Sequence, residues 1–241
     1  MKNQAPFNFD CQEKLVIDIF AKIAPRYDFL NHFLSFGQDI VWRNSTVRKM
    51  HFFKTYRCLD VATGTGDMAI EVAKKHPGVR INGIDLSEEM ISLAKKKTYR
   101  KNLADAITFE TADATRLPFN DESFDVSVIA FGIRNIPDKM TALKEMARVT
   151  VQGGQIIVLE MVSQQKRWFQ YLYQGYLCVF LPRIARLFCS HRIAYRYLGQ
   201  SILNFPTLEE FVSMMHQSGI NLKSSSSMTF GIVQLFIGEK S

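Results

Sequence analysis

Strand-like and helix-like segments alternate regularly between residues 56 and 162, and this alternation constrains the fold more than any other feature of the sequence. The strand candidates are the apolar runs RCLDVA, RINGIDL, AITFETAD, FDVSVIAF and QIIVLEM. The helical patterns between them are DMAIEVAKKH, SEEMISLAKKK and DKMTALKEMARV. Such an order predicts right-handed βαβ units, and therefore an α/β protein with a mostly parallel, doubly wound sheet and helices on both faces.

The regions on either side of this alternation predict further helices and an antiparallel edge. Residues 1–55 carry helical apolar patterns and predict an N-terminal helical cap. Residues 163–200 predict a basic, aromatic helical insertion. After it, TLEEFVSMMHQSGI predicts a helix capped by Thr207, and residues 221–240 predict two antiparallel strands joined by a turn at SSSS.

Length, composition and cysteine usage exclude several classes of protein. A chain of 241 residues that is 47% hydrophobic and 22% charged is expected to form a single globular domain. Its amino terminus lacks a continuous apolar core, so we predict no secretory signal. Four scattered cysteines without a C-x-x-C pair and five dispersed histidines predict neither a disulfide framework nor a metal site, and they favour a cytoplasmic location.

Positive charge is concentrated in the predicted insertion. The whole chain carries a net charge of +7, and residues 163–200 contain six Lys or Arg but no Asp or Glu. A solvated helix surface, an anionic membrane surface and nucleic acid would each account for such a segment. Its aromatic run stops at Pro182 and is too short to cross a bilayer, which needs about 20 residues.

The first predicted strand ends in a glycine loop, CLDVATGTGD, which leads directly into a helix. Gly64 and Gly66 allow the backbone to approach a ligand closely, and the start of the helix offers N–H donors. Asp85 ends the second strand, where a carboxylate can accept both ribose hydroxyls of an adenosine. Since NAD and S-adenosylmethionine both contain that ribose, these residues leave both cofactors open.

Other acidic residues favour S-adenosylmethionine. Asp67 lies in the first turn of the helix, where a carboxylate would repel a pyrophosphate but attract the ammonium and sulfonium groups of S-adenosylmethionine. Asp60, in the first strand, adds negative charge on the same side. Asp113 ends the third strand and is followed by Ala114, so it could bind the adenine amino group while the small residue lets the ring lie flat.

Taken together, the glycine loop, the strand-end acids and the Gly-Gly turn of VQGGQIIVLE resemble class I S-adenosylmethionine-dependent methyltransferases. The stretch YDFLNHFLSFGQDIVW matches the pattern Y-D-x-x-N-x-x-x-S-x-G-x-x-x-x-W of the ubiquinone/menaquinone biosynthesis C-methyltransferases, and RVTVQGGQIIVLE resembles the second signature of that family. The resemblance covers roughly residues 12–238. It departs at Asp39, where the family usually has histidine, and at Ala130, where relatives can have serine.

The resemblance implies a Rossmann-like, seven-stranded sheet and methyl transfer from S-adenosylmethionine to a ring carbon of a polyprenylated benzo- or naphthoquinol. Arg134 is expected to stabilise a phenolate or to order a proton-accepting water, and Asn135 to fix a ring oxygen. Tyr27 is expected to lie with Asn31 on a helix that closes over the site. The expected cofactor-binding residues are Asp60, Gly64, Thr65, Gly66, Asp85, Leu86, Asp113, Ala114 and Ala130.

Three alternatives remain: an NAD-dependent oxidoreductase, a nucleic-acid methyltransferase and a non-catalytic binding protein on the same scaffold. The segment after the fourth strand reads FGIRN rather than the D/N-P-P-Y motif of amino-methylating DNA enzymes. We therefore expect a lipid-tailed quinol and no nucleic acid as partner. Residues 163–200 are expected to contact a membrane surface as an interfacial segment, a packed helix being the other interpretation. A homodimer is compatible with the sequence.

Overall fold

The computed structural model describes residues 27–163, 175 and 192–241 of the chain. The first part of the predicted N-terminal cap and most of the predicted insertion lie outside the described residues. That the whole chain forms a single domain stays a prediction.

Seven strands form one sheet in the part of the chain that the structure describes. They are β1 (Arg57–Val61), β2 (Arg80–Asp85), β3 (Ile107–Thr111), β4 (Phe124–Ala130), β5 (Thr150–Met161), β6 (Ile220–Met228) and β7 (Val233–Lys240). Their order across the sheet is β3-β2-β1-β4-β5-β7-β6. Pairing is parallel from β3 through to β5, whereas β7 runs antiparallel to both β5 and β6. The predicted mostly parallel, seven-stranded sheet with an antiparallel C-terminal strand is confirmed.

Helices cover both faces of this sheet, as predicted. They are α1 (Tyr27–Leu34), α2 (Gln38–Val47), α3 (Asp67–Lys75), α4 (Glu88–Arg100), α5 (Lys139–Val149), α6 (Arg192–Leu203) and α7 (Leu208–Gln217). One buried apolar cluster joins α2, α3 and α4 to the first face, and another joins α5 and α7 to the second. Short 3-10 turns lie at Ile133–Asn135 and Thr229–Gly231.

Side-chain caps set the helix starts that the sequence predicted. The Ser87 hydroxyl accepts the backbone N–H of Met90 at 3.3 Å at the start of α4. Thr207 and Glu210 form a reciprocal capping box at the start of α7, with bonds of 3.2 and 2.8 Å. A cap of this kind typically contributes about 1 kcal/mol, so local sequence fixes where these helices begin.

The predicted turn at SSSS is wrong. Ser224–Ser227 lie inside β6 and pair with β7, and the chain reverses at the 3-10 turn Thr229–Gly231 instead. The serines are tolerated because β6 is an edge strand, where one row of side chains meets water. The side chain of Gln234 on β7 bonds to both Ser225 and Ser227, which adds cross-strand contacts that the sequence did not reveal.

Candidate active site

A cavity of about 550 Å³ lies at the carboxyl ends of the first four strands, which we call the main cavity. It sits beside the point where the strand order reverses between β1 and β4, the usual ligand-binding position of an open α/β sheet. Tyr27 from α1 and Arg43 from α2 complete its wall. All of the predicted site residues except Gly66 and Arg134 line the main cavity.

The glycine loop is tied to the second strand by Asp85. Asp85 Oδ2 accepts the Gly64 N–H at 2.8 Å, and its Oδ1 accepts the Ser87 N–H at 3.0 Å. Burial raises the pKa of Asp85, while these N–H donors oppose that shift. Each carboxylate oxygen has a further lone pair, so a pair of ligand hydroxyls can still be accepted here.

Gly66 does not line the main cavity; it allows neighbouring elements of the protein to pack closely. Its φ of +83° is in the left-handed region, at the N-cap of α3. A Cβ added there would lie 2.9 Å from Cζ of Phe109 and 3.3 Å from Cβ of Ala94. The glycine therefore lets the start of α3 pack closely against β3 and α4.

Asp113 is held in place at the end of β3. Its Oδ1 accepts the backbone N–H of Thr115 at 2.8 Å, and its Oδ2 accepts the Thr115 hydroxyl at 2.7 Å. Ala114 follows it in the cavity wall. The carboxylate is therefore held in a fixed direction in the wall of the main cavity.

Asp60 is a buried acid beneath the glycine loop. Its Oδ2 accepts the Thr63 hydroxyl at 2.5 Å and the Ala69 N–H at 3.1 Å. The pKa of Asp60 is raised to about 7, chiefly by burial and to a smaller extent by the nearby Asp85, against the opposing effects of the bonds from Thr63 and Ala69 and of the Arg43 charge. Its charge therefore responds strongly to a cation placed beside it.

Asp67 belongs to an ion network that fastens α1 to the glycine loop. Lys97 Nζ lies 2.5 Å from Asp67 Oδ1 and 2.6 Å from Asp28 Oδ2. The Thr65 hydroxyl donates to Asp28 Oδ1 at 2.5 Å, and Arg43 Nη2 lies 4.0 Å from Asp67. Since Lys97 and Arg43 offset the charge of Asp67, that acid alone discriminates less against a pyrophosphate than the sequence indicated.

Arg134 is buried against Glu160 and does not project into the main cavity. Its Nη1 lies 2.5 Å from Glu160 Oε1 and donates to the Phe131 carbonyl at 2.6 Å. Burial lowers the pKa of Arg134, but the Glu160 carboxylate outweighs this and raises it above its usual value. The buried Nε has no hydrogen-bond partner among the described residues.

A smaller cavity of about 70 Å³ adjoins the main one. Tyr27, Arg43 and Phe131 line both cavities, so they separate the two spaces. The other residues around the smaller cavity are Asn31, Leu34, Ser35, Asp39, Trp42, Arg134, Met161, Leu198 and Ile202. Burial raises the pKa of Tyr27, so its phenol stays protonated at neutral pH.

Several residues near the site had no local signal in the sequence. Lys97 contacts Asp67 across 30 residues, and Tyr197 contacts Asn135 across 62. Neither spacing matches a helix or strand period, so periodicity could not have brought these pairs together.

Residues 8–240 match the ubiE/COQ5 methyltransferase family. The chain belongs to this family. A ubiquinone/menaquinone biosynthesis C-methyltransferase from Geobacter sulfurreducens is 41% identical over 100% of this chain and 99% of that protein. A demethylmenaquinone methyltransferase from Deinococcus radiodurans is 41% identical over 99% of this chain and 98% of its own length. The family predicted from the two signatures is confirmed.

Solved structures show the same fold at low sequence identity. An S-adenosylmethionine-dependent methyltransferase from Thermotoga maritima has a TM-score of 0.63 and 20% identity, covering 93% of this chain and 99% of that one. Another from Aquifex aeolicus has a TM-score of 0.61 and 14% identity, covering 83% and 89%.

Membership of the ubiE/COQ5 family decides between the cofactors that the glycine loop left open. The methyl donor is S-adenosylmethionine, as predicted, and the NAD-dependent oxidoreductase alternative is set aside.

Proposed function

We propose that the chain methylates a ring carbon of demethylmenaquinol, a polyprenylated naphthoquinol, in respiratory quinone biosynthesis. The observation that carries this proposal is the match to the family along nearly the whole chain, with relatives from Deinococcus radiodurans and Thermus thermophilus named demethylmenaquinone methyltransferases. A benzoquinol precursor of ubiquinone is the second candidate, because the Geobacter sulfurreducens relative is named for both quinones.

The main cavity suits S-adenosylmethionine in size and in chemistry. Its volume of about 550 Å³ leaves room for a quinol ring beside the cofactor. Asp85 would hold the ribose hydroxyls, and Asp113 with Ala114 would hold the adenine. Gly64 and Thr65 would contact the amino-acid end. Asp60 lies beneath them as a buried acid that a bound cation would keep ionised. Leu86 and Ala130 supply apolar wall in the same cavity.

S-adenosylmethionine supplies an electrophilic methyl group carried on a sulfonium. The ring carbon is nucleophilic because the quinol oxygens donate electrons into the ring, most strongly when one of them is ionised. For transfer, the protein would need to hold that carbon about 3 to 3.5 Å from the methyl group and to provide an acceptor for the proton that the carbon then loses.

Three residues are proposed to act on the quinol. Asn135, in the wall of the main cavity, binds a ring oxygen. Arg134 precedes it, with its guanidinium paired to Glu160, and its Nε, which has no hydrogen-bond partner among the described residues, is available to order a proton-accepting water near the phenolate. Arginine itself is no base, since it stays protonated. Tyr27 closes the cavity from α1, next to Asn31.

Turnover of purified variants tests these roles. Arg134→Ala and Asn135→Ala should bind S-adenosylmethionine in calorimetry about as well as the parent protein but lose most of their turnover with demethylmenaquinol. Arg116→Ala and Asn120→Ala are matched controls, because both side chains are exposed and lie outside both cavities. Unchanged turnover in the first pair would remove the proposed roles.

A strain that lacks the gene distinguishes the two candidate substrates. Mass spectrometry of its quinones should reveal accumulated demethylmenaquinone. Accumulation of an unmethylated ubiquinone precursor alone would instead support the benzoquinol.

We further propose that residues 163–200 bring the protein, as a peripheral cytoplasmic protein, to the membrane that holds its lipid-tailed substrate. The six basic residues and no acidic ones in this segment support an anionic lipid surface as its contact. No helix in the described ranges is long and apolar enough to cross a membrane.

Co-sedimentation of the protein with vesicles tests the membrane contact and should increase with the content of anionic lipid. Binding that does not depend on lipid charge would count against this contact. Light scattering of the same preparation tests a homodimer.

A further inference from the structure

Tyr197 does not line the main cavity, but it contacts Asn135, which does. Tyr197 lies on α6, and its hydroxyl donates a hydrogen bond to Oδ1 of Asn135 at 3.2 Å. Asn135 ends the 3-10 turn after β4 and lines the main cavity, whereas Tyr197 lines neither cavity. Any effect of the tyrosine hydroxyl on a substrate in that cavity is therefore exerted through the amide of Asn135.

The backbone of Asn135 is already fixed by other contacts. Its N–H donates to the Gly132 carbonyl at 3.0 Å within the 3-10 turn. The preceding residue, Arg134, donates its backbone N–H to Glu160 Oε2 at 3.2 Å, and Glu160 is fully buried. The turn therefore cannot shift easily, and rotation of the side-chain amide is the main freedom left to Asn135.

Rotation of the Asn135 side-chain amide determines whether a hydrogen-bond donor or an acceptor faces a ligand in the main cavity. An asparagine amide has an acceptor oxygen on one side and a donor NH₂ group on the other, and a half-turn about its last bond exchanges them. With its oxygen bonded to Tyr197, the amide directs its NH₂ group away from α6. Without that bond, both orientations become accessible.

The phenol of Tyr197 is suited to this task because it stays a donor. Burial raises the pKa of Tyr197; Arg134 opposes the shift and Glu160 adds to it. A protonated phenol can donate to the amide oxygen of Asn135, as it does here at 3.2 Å, whereas an ionised phenolate could only accept.

We infer that Tyr197 is a positioning residue that holds the Asn135 amide with its NH₂ group toward the substrate, so that the site binds a ring oxygen in its acceptor form, the phenolate. This inference rests on the proposed function. It makes α6 part of substrate recognition, because the helix contributes to the site by orienting a side chain that belongs to the loop after β4.

A conservative substitution tests the inference. Tyr197→Phe removes the hydroxyl and keeps the ring, and a lost neutral hydrogen bond should lower kcat/KM for demethylmenaquinol about fivefold to tenfold. KM for S-adenosylmethionine and the melting temperature should stay unchanged. Tyr99→Phe is the matched control, since Tyr99 lies on α4 and is 77% exposed.

A double-mutant cycle separates positioning from a general structural effect. Once Asn135 is replaced by Ala, adding Tyr197→Phe should cost nothing more, because the tyrosine acts through the missing amide. Additive losses would overturn the inference, as would a Tyr197→Phe enzyme with the kcat/KM of the parent.

A third variant tests the orientation of the amide without altering Tyr197. Asn135→Asp keeps an acceptor oxygen for Tyr197 but replaces the NH₂ donor by a second acceptor, which repels a phenolate. Its loss of kcat/KM should be at least as large as that of Asn135→Ala; near-parental activity would overturn the inference. If the parent protein did not methylate demethylmenaquinol at all, the proposed function would fail, and this inference with it.

Discussion

Asp60 is buried beneath the glycine loop, which we propose receives the cationic end of the cofactor. Its pKa of about 7 lies above the ordinary value for an aspartate, so the folded protein retains a proton that the unfolded chain has already lost. The contribution of this group to folding stability is therefore largest at acidic pH and declines as pH rises from about 4 to about 7. A bound cation reverses this preference, because it stabilises the ionised form.

Cofactor affinity should therefore depend on pH through Asp60. We expect the affinity for S-adenosylmethionine to increase as pH rises toward about 7 and to level off above it. Asp60→Asn should weaken binding by roughly tenfold to a hundredfold and flatten the pH dependence, since a charge-assisted contact is lost. Calorimetry across neutral pH measures both effects, with the exposed Asp105→Asn as control. A variant that retained the pH dependence of the parent would show that another group is responsible.

Gly66 can be tested against a glycine of similar backbone conformation. Gly66 has a φ of +83° and Gly78 a φ of +93°, but only at Gly66 would a Cβ meet other atoms, 2.9 Å from Phe109 Cζ. Gly78→Ala should therefore lose about 1 to 2 kcal/mol from backbone strain alone, and Gly66→Ala should lose about 1 to 3 kcal/mol more from overpacking. Urea unfolding gives both values, and equal losses would mean that the contact with Phe109 relaxes freely.

At the scale of elements, α1 is fastened over the glycine loop by polar contacts. Asp28 on α1 meets both Lys97 of α4 and Thr65 of the loop, and a Cβ on Gly64 would lie 3.8 Å from the ring of Tyr27. Asp28, Asp67 and Lys97 are half-buried, so water screens the interaction of Lys97 with the two acids only in part. The position of α1 over the site therefore depends strongly on Lys97.

Removal of Lys97 should loosen α1 in particular. We expect Lys97→Met to speed amide exchange in α1 by about tenfold, because a partly buried ion pair is lost and two carboxylates are left facing each other. Exchange in α7 should not change, since α7 packs on the opposite face of the sheet. Lys96→Met is the control, as this neighbouring lysine is exposed. Equal exchange in α1 of both variants would indicate that apolar contacts hold the helix.

The sequence predicts those helices and strands whose positions are set by residues only a few places away in the chain. Apolar runs, the cap at Ser87 and the capping box at Thr207 each lie within a few residues, and these elements were predicted correctly. The antiparallel pair at the C-terminal edge was also predicted, but the extent of β6 was not, because its serines are held by pairing with β7 and by Gln234 rather than by their own propensity.

The candidate site shows the same difference between residues placed by local sequence and residues placed by contacts with distant parts of the chain. Asp85 and Asp113 were predicted because a residue at a strand end must face the carboxyl edge of a parallel sheet. The burial of Arg134 against Glu160 was not, since β5 supplies the acid from 26 residues away. Lys97 and Tyr197 likewise act through contacts that only the folded chain creates.

In the whole molecule, residues from the first four strand ends, α1 and the loop after β4 surround the main cavity. We propose that a quinol ring meets the methyl donor in this cavity. The direct measurement is mass spectrometry after the purified protein is incubated with reduced demethylmenaquinone in vesicles and S-adenosylmethionine labelled in its methyl group. The label should appear on a ring carbon, and S-adenosylhomocysteine should form in equal amount. A protein that binds the cofactor but leaves the quinol unlabelled, or labels it on oxygen, would contradict the claim.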